Sequence, residues 1–140
     1  MKKYLGVDWG EKRIGLALGD SETKIATPFD VVGSVDEAVR VVKEEKIDTI
    51  ILGKPVKMSG RDELSDEFES FIKLLRKKAG IPIEMIDERL SSKAADALAG
   101  DKRANPPSLK FRRARAPRDA VAAMLILQSY FDKYNANTAN

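Results

Sequence analysis

Apolar positions along this chain recur first with a period of two, then with a period of three to four. Residues 4–9 and 13–19 read as strands, and the turn Gly10-Glu11-Lys12 between them favours a hairpin. A third strand is predicted over 25–32, where Pro28 marks an edge or a bulge. Ser34, with Glu37 three residues on, forms a capping box before the helical stripe Val35, Ala38, Val39 and Val42. Residues 47–52 are an apolar run broken only by Asp48 and Thr49, as in a strand covered on both faces, and end at the turn Gly53-Lys54-Pro55. Leu64, Phe68, Phe71, Ile72 and Leu75 mark a second helix, stopped by Gly80 and Pro82. A fifth strand covers 81–87, and Ser91 or Ser92 caps a short helix ending near Gly100. Residues 101–116, with Asn105-Pro106-Pro107, read as a mobile basic loop. Pro117 opens a last helix that runs to about Tyr134, and 135–140 read as a frayed tail.

The order β-β-β-α-β-α-β-α-α predicts an α/β fold. A three-strand antiparallel meander followed by alternating helix and strand gives a mixed five-stranded sheet with helices on both faces. The 140 residues suit one domain with a real core.

Composition narrows the chemistry. There is no cysteine, so disulfides, thiolate zinc sites and thiol nucleophiles are excluded. There is no histidine, which excludes an imidazole base and imidazole ligands. Carboxylates, lysines, hydroxyls and a hard metal bound through oxygen remain. No apolar run is long enough to span a membrane, and Met1-Lys2-Lys3-Tyr4 passes into a strand without a signal-peptide pattern, so a cytoplasmic protein is expected. The net charge is +3, unevenly spread. Residues 101–118 hold Lys102, Arg103, Lys110, Arg112, Arg113, Arg115 and Arg118 against one acid, Asp101, so that segment is +6 and the remainder −3. That asymmetry points to a polyanionic partner.

Three acids stand where structure alone would place something else. Asp8 interrupts the first strand, Glu88 follows the fifth, and Asp119 shares the stripe of Ala122, Ala123, Ile126 and Tyr130 on the last helix. Singly, each has a plain structural reading: a turn residue, an ion-pair partner of Arg89, a first-turn acid favoured by the helix dipole. Together, at one edge of a sheet, they would repel one another unless a cation neutralised them. Oxygen ligands suit Mg²⁺ or Mn²⁺, and two such ions can serve phosphodiester hydrolysis without a histidine base. The basic run just before Asp119 would bring a nucleic-acid backbone to the acids, and Arg13 and Lys54, after tight turns, are further candidates for phosphate contact. Asp20 and Asp87 read as structural or as supports of the ligands.

These residues fall into four motifs. Gly6-Val7-Asp8-Trp9-Gly10-Glu11-Lys12-Arg13-Ile14-Gly15 resembles the opening GxDxGxxRxG of the YqgF/RuvX family. Gly53-Lys54-Pro55-Val56 with Gly60 resembles its GLPL…G segment, with Lys54 in place of leucine. Asp87-Glu88-Arg89-Leu90-Ser91-Ser92 resembles its DERLSS signature, and Asp119 with Ala122-Ala123 and Leu125-Ile126-Leu127-Gln128 its terminal helix, where Arg118-Asp119-Ala120 replaces apolar-Asp-Ser. The resemblance spans nearly the whole chain. It implies a ribonuclease H-like fold and a metal-dependent nuclease with Asp8, Glu88 and Asp119 as catalytic ligands. It further implies processing of the 5′ end of precursor 16S ribosomal RNA on the assembling ribosome, with cleavage of branched DNA as the alternative. Two other classes compete: a non-catalytic nucleic-acid-binding module of the same fold, and an actin-like phosphotransferase suggested by Asp8-Trp9-Gly10, for which 140 residues are too few. Oligomeric state is not legible in the sequence.

Overall fold

The computed structural model describes residues 1–54, 66–87 and 118–138, the last five by their backbone alone. Strands β1 (Lys3–Trp9), β2 (Ile14–Asp20) and β3 (Thr27–Val32) are followed by helix α1 (Val35–Glu44), strand β4 (Thr49–Lys54), helix α2 (Asp66–Ala79), strand β5 (Ile83–Asp87) and helix α3 (Arg118–Thr138). The sheet order is β3-β2-β1-β4-β5. β1 pairs antiparallel with β2, and β2 with β3, while β4 and β5 extend the sheet in parallel from β1. The mixed five-stranded sheet read from the sequence is the one observed.

Period-two alternation divides the core. Leu5, Val7, Leu16, Ile50 and Leu52 face α1 and α2, where they meet Val39, Val42, Phe68, Phe71 and Leu75. Ala17, Ile51 and Ile86 face the other way, against Ala123, Met124, Leu127 and Phe131 of α3. The sheet is therefore covered on both sides. No helix among the described residues is long and apolar enough to cross a membrane.

The helix ends follow their sequence signals. Ser34 Oγ accepts from the Glu37 N–H at 3.3 Å, and Glu37 Oε2 accepts from the Gly33 N–H at 2.8 Å. The reciprocal bond thus lands one residue before the cap rather than on it. Gly80, at φ 67°, takes the left-handed conformation that ends α2, and its N–H reaches the Arg76 carbonyl at 3.2 Å.

Several boundaries move. β2 begins at Ile14, so the hairpin loop is Gly10 to Arg13, one residue longer than read. β4 runs two residues beyond Leu52, because parallel pairing with β5 continues to Lys54. Pro28 meets both of its expectations: β3 is an edge strand, and a bulge between the pairs Ala17–Pro28 and Leu16–Asp30 sets Phe29 out of register. α3 continues to Thr138, through residues expected to fray. Leu64, Pro117, the helix expected before Gly100 and the basic loop of 101–116 lie outside the described residues.

α3 is also tied to the meander by one side chain. Gln128 Oε1 accepts from the Ala26 N–H at 2.9 Å, and Gln128 Nε2 donates to the Lys24 carbonyl at 3.1 Å. Ala26 is buried and Lys24 is held at φ 53°, so the amide fixes a strained loop. Gln128→Ala should cost about 1–3 kcal/mol by stranding the Ala26 donor. Thermal unfolding should show a fall of several degrees, with a smaller fall for Gln128→Glu, which keeps the acceptor.

Candidate active site

The carboxyl ends of the three parallel strands β1, β4 and β5 meet at one edge of the sheet, where ligands of open α/β sheets collect. Asp8 lies there, half-buried, one residue beyond the Val7–Leu52 pair. Its strand alternation places it on the α3 side. Tyr4 packs its ring on Tyr130 and Phe131, with centroids 5.6 and 5.4 Å apart, and a Cβ on Gly6 would stand 2.8 Å from both the Ala123 carbonyl and the Leu127 Cβ. Trp9, on the opposite side, packs against Phe68 and Phe71 of α2.

Asp8 pairs across the hairpin with Gly15. Side chains of opposed residues on antiparallel strands leave the same face with Cβ atoms about 5 Å apart. The place of a Gly15 side chain is taken by the backbone of Asp119 itself: a Cβ there would collide with the Asp119 carbonyl and crowd the Ala120 N–H. The first turn of α3 is thus brought beside the Asp8–Gly15 pair by a missing methyl group.

The stripe on which Asp119 was read needs correction. The α3 residues nearest the glycine bed of the sheet are Ala120, Ala123, Leu127 and Phe131, with Tyr130 packed on Tyr4 beside them. Ala123 and Ile126 are buried as expected, but Asp119 stands half-buried at the margin of the contact. The reason is the close approach at Gly15, which admits the helix backbone rather than a side chain. That margin has a direction. Asp119 and Tyr130 are eleven residues apart, three turns of helix, so their azimuths differ by only about 20°. Tyr130 Oη donates to Glu84 Oε2 on β5 at 2.8 Å. The flank bearing Asp119 is therefore the one turned toward β5, whose last residue, Asp87, precedes Glu88. Glu88 itself lies outside the described residues, and among those described no three metal-binding side chains come together.

The other candidates divide. Arg13 is exposed on the hairpin loop beside Gly10, at the same end of the sheet as Asp8, and Arg118 is exposed at the start of α3. Lys54 is at the same edge but follows Ile50 and Leu52, so it leaves on the α1/α2 face, away from Asp8. Lys110, Arg112, Arg113 and Arg115 lie outside the described residues. Asp20 is at the far end of β2, opposite Lys3. It accepts from the Thr23 N–H at 2.7 Å and the Glu22 N–H at 3.0 Å, and the Thr23 backbone bond is the foremost cause holding its carboxyl below the usual carboxylate range. It is a turn residue, not a ligand.

The donor chemistry suits a hard divalent cation: Asp8 leaves β1 on the face where the backbone of Asp119 approaches Gly15, and both side chains are carboxylates. What sequence reasoning did not weigh is the bed beneath α3. The positions facing it on β1 and β2 include Gly6, Gly15, Ala17 and Gly19, nearly free of side-chain bulk. Gly15-x-Ala17-x-Gly19 at a period of two was the available signal.

Comparison with known proteins identifies the family and the fold. The family model RuvX, described as Holliday junction resolvase, matches residues 2–133. A Chloroflexus aurantiacus protein named "Putative pre-16S rRNA nuclease" is 33% identical over 140 residues, spanning 95% of this chain and 88% of its own. An Anaeromyxobacter protein of the same name is 33% identical over 141 residues, spanning 96% and 99%. Among solved structures, Thermus thermophilus RuvC in complex with a Holliday junction substrate superposes with a TM-score of 0.70 at 15% identity, covering 99% of this chain and 98% of that one. The fowlpox virus resolvase bound to junction DNA gives 0.59 at 13%, covering 94% and 98%. At such identities the likeness is one of fold, and the fold is ribonuclease H-like. The chain belongs to the RuvX family of Holliday junction resolvases, nucleases that hydrolyse ester bonds.

Proposed function

We propose that this chain is a divalent-cation-dependent nuclease that trims the 5′ end of precursor 16S ribosomal RNA, with Asp8, Glu88 and Asp119 as the catalytic ligands of two Mg²⁺ or Mn²⁺ ions. The observation that supports the reading is the close approach of the Asp119 backbone to Gly15, the cross-strand partner of Asp8, with Tyr130 on the Asp119 flank of α3 bonded to Glu84 of β5. The RNA substrate is supported by the names of the relatives. When bound, the cations supply charge stabilisation at the phosphoryl oxygens and acidify water. The chain's own residues do the rest. Asp8 is fixed by its strand and Asp119 by the first turn of α3, so neither carboxylate depends on a loop for its place. Arg13 and Arg118 flank them and hold substrate phosphates, joined by Lys110, Arg112, Arg113 and Arg115 of the basic segment.

A second reading, cleavage of four-way DNA junctions, is favoured by the description of the family. One experiment separates the two. The purified protein is incubated with precursor 16S RNA and with a four-way junction, each with Mg²⁺, Mn²⁺ or chelator. Shortening of the RNA at its 5′ end, with metal and not with chelator, is expected. Cleavage of the junction alone would transfer the assignment to DNA, and no cleavage of either would leave a binding module.

Replacing Arg112, Arg113 and Arg115 together with alanine should weaken binding to the same degree across sequences. Each lost phosphate contact lowers the slope of log K against log salt by about 0.7 on single strands and about 0.9 on duplex. Three lost contacts should therefore remove about two units of slope or slightly more. An unchanged slope in filter-binding titrations would show that the segment is only solvated surface.

A further inference from the structure

Two charged residues at the carboxyl edge stand on the face that the acids do not use. Lys54 ends β4 in register with Asp87, the last residue of β5. Ile50 and Leu52 are buried against α1 and α2, so Lys54, next in that alternation, leaves the sheet on their side. Ile86 is buried against α3, so Asp87 leaves on the side opposite to it, the side of Lys54. Both are half-buried. Adjacent strands lie about 4.8 Å apart, within reach of an ammonium and a carboxylate in register.

We propose that Lys54 is a positioning residue: it pairs across the strands with Asp87, holds that carboxylate on the α1/α2 face, and so fixes the end of β5, whose next residue in the sequence is Glu88. The functional part of this inference rests on the reading of the acids given above. Because Lys54 and Asp8 leave opposite faces of the sheet, the ammonium neither competes with cations at Asp8 nor contacts the phosphate being cleaved. It acts on the geometry of the strand end. A neutral side chain at 54 would remove the cross-strand counter-charge of Asp87 and loosen the pairing at the end of β5.

The test uses Lys54→Leu, Asp87→Asn, the two together, and the exchanged pair Lys54→Asp with Asp87→Lys. Mg²⁺ affinity is read by calorimetry, single-turnover kcat and KM on the substrate that is cut, and amide exchange at Ile86 by NMR. Each single change is expected to weaken Mg²⁺ binding and lower kcat about fivefold or more, with KM and thermal midpoint little changed. The combined variant should be no worse than either single one, and the exchanged pair should recover most of the loss. Ile86 exchange should accelerate in the singles and show the same coupling. Independent, additive losses would overturn the pairing. So would a Lys54→Leu protein whose salt slope on nucleic acid falls by about 0.7 to 0.9, which would make Lys54 a phosphate contact. Failure of the acid reading looks different: the parent protein would neither bind Mg²⁺ nor cleave, while the exchange cycle at Ile86 would still decide the pair.

Discussion

Asp119→Asn should abolish cleavage while leaving the protein folded. The side chain is half-buried at the margin of α3 and contributes nothing to the contact made by Ala120, Ala123, Leu127 and Phe131. Its structural worth is that of a first-turn acid facing the helix dipole, about 0.3–1 kcal/mol. Without a cation, that loss is offset by relief of repulsion from Asp8 on the same face. Net stability should therefore change by less than about 1 kcal/mol. Activity has no such offset. Asparagine keeps the shape but removes a charge from a site that holds cations, and loss on the order of a hundredfold or more is expected. Single-turnover cleavage with saturating Mg²⁺, alongside a calorimetric Mg²⁺ titration, measures both effects. Wild-type cleavage by the variant would remove Asp119 from the site.

Gly15→Ala should damage stability and activity together, for one geometric reason. The added Cβ would meet the Asp119 carbonyl and the Ala120 N–H. Both are backbone atoms, and no flexible side chain can turn aside. Either the start of α3 lifts or the hairpin bends, at a cost of about 1–3 kcal/mol. The same movement carries Asp119 away from Asp8, and a displacement of about 1 Å between reacting groups can cost about a hundredfold in rate. Gly33→Ala is the control, because nothing lies within 4 Å of a Cβ placed there. Thermal unfolding and cleavage rates should fall together for Gly15→Ala and stay level for Gly33→Ala. A Gly15→Ala protein as stable and active as its parent would show that α3 docks more loosely than described.

Much of this was legible because local signals and tertiary fate agree. The alternation of Leu5 and Val7 with Gly6 and Asp8 gave a strand, and the helices on both faces gave each side of it a core. Ser34 and Glu37 announced the start of α1 and bond as their spacing requires, apart from the shift to Gly33. The misplacements have tertiary causes. Residues 47 and 48 read as strand by apolarity, but Ile47 is buried before the ladder begins, and pairing with β5 instead draws Gly53 and Lys54 into it. Ala123, Ile126 and Tyr130 hold the α3 stripe as read, but Asp119 stands at its margin, because hydrophobicity does not record where a glycine lets a backbone approach. The strand acid at position 8 and the helix acid at position 119 stood out as chemistry. That the start of α3 lies beside the strand position of Asp8 became visible only through the register of Asp8 with Gly15.

The outer margin of the meander has a bearing on how the protein survives in crowded solution. β3 is the end of the sheet and carries an exposed Phe29, an invitation to self-association along an open ladder. Its backbone withdraws that invitation. Pro28 has no N–H to give an incoming strand, the bulge breaks the even spacing of donors and acceptors, and Asp30 follows with a charge. The irregularity that looks like a flaw in the sheet disfavours edge-to-edge stacking of neighbouring molecules, and a smoother third strand would make a stickier enzyme.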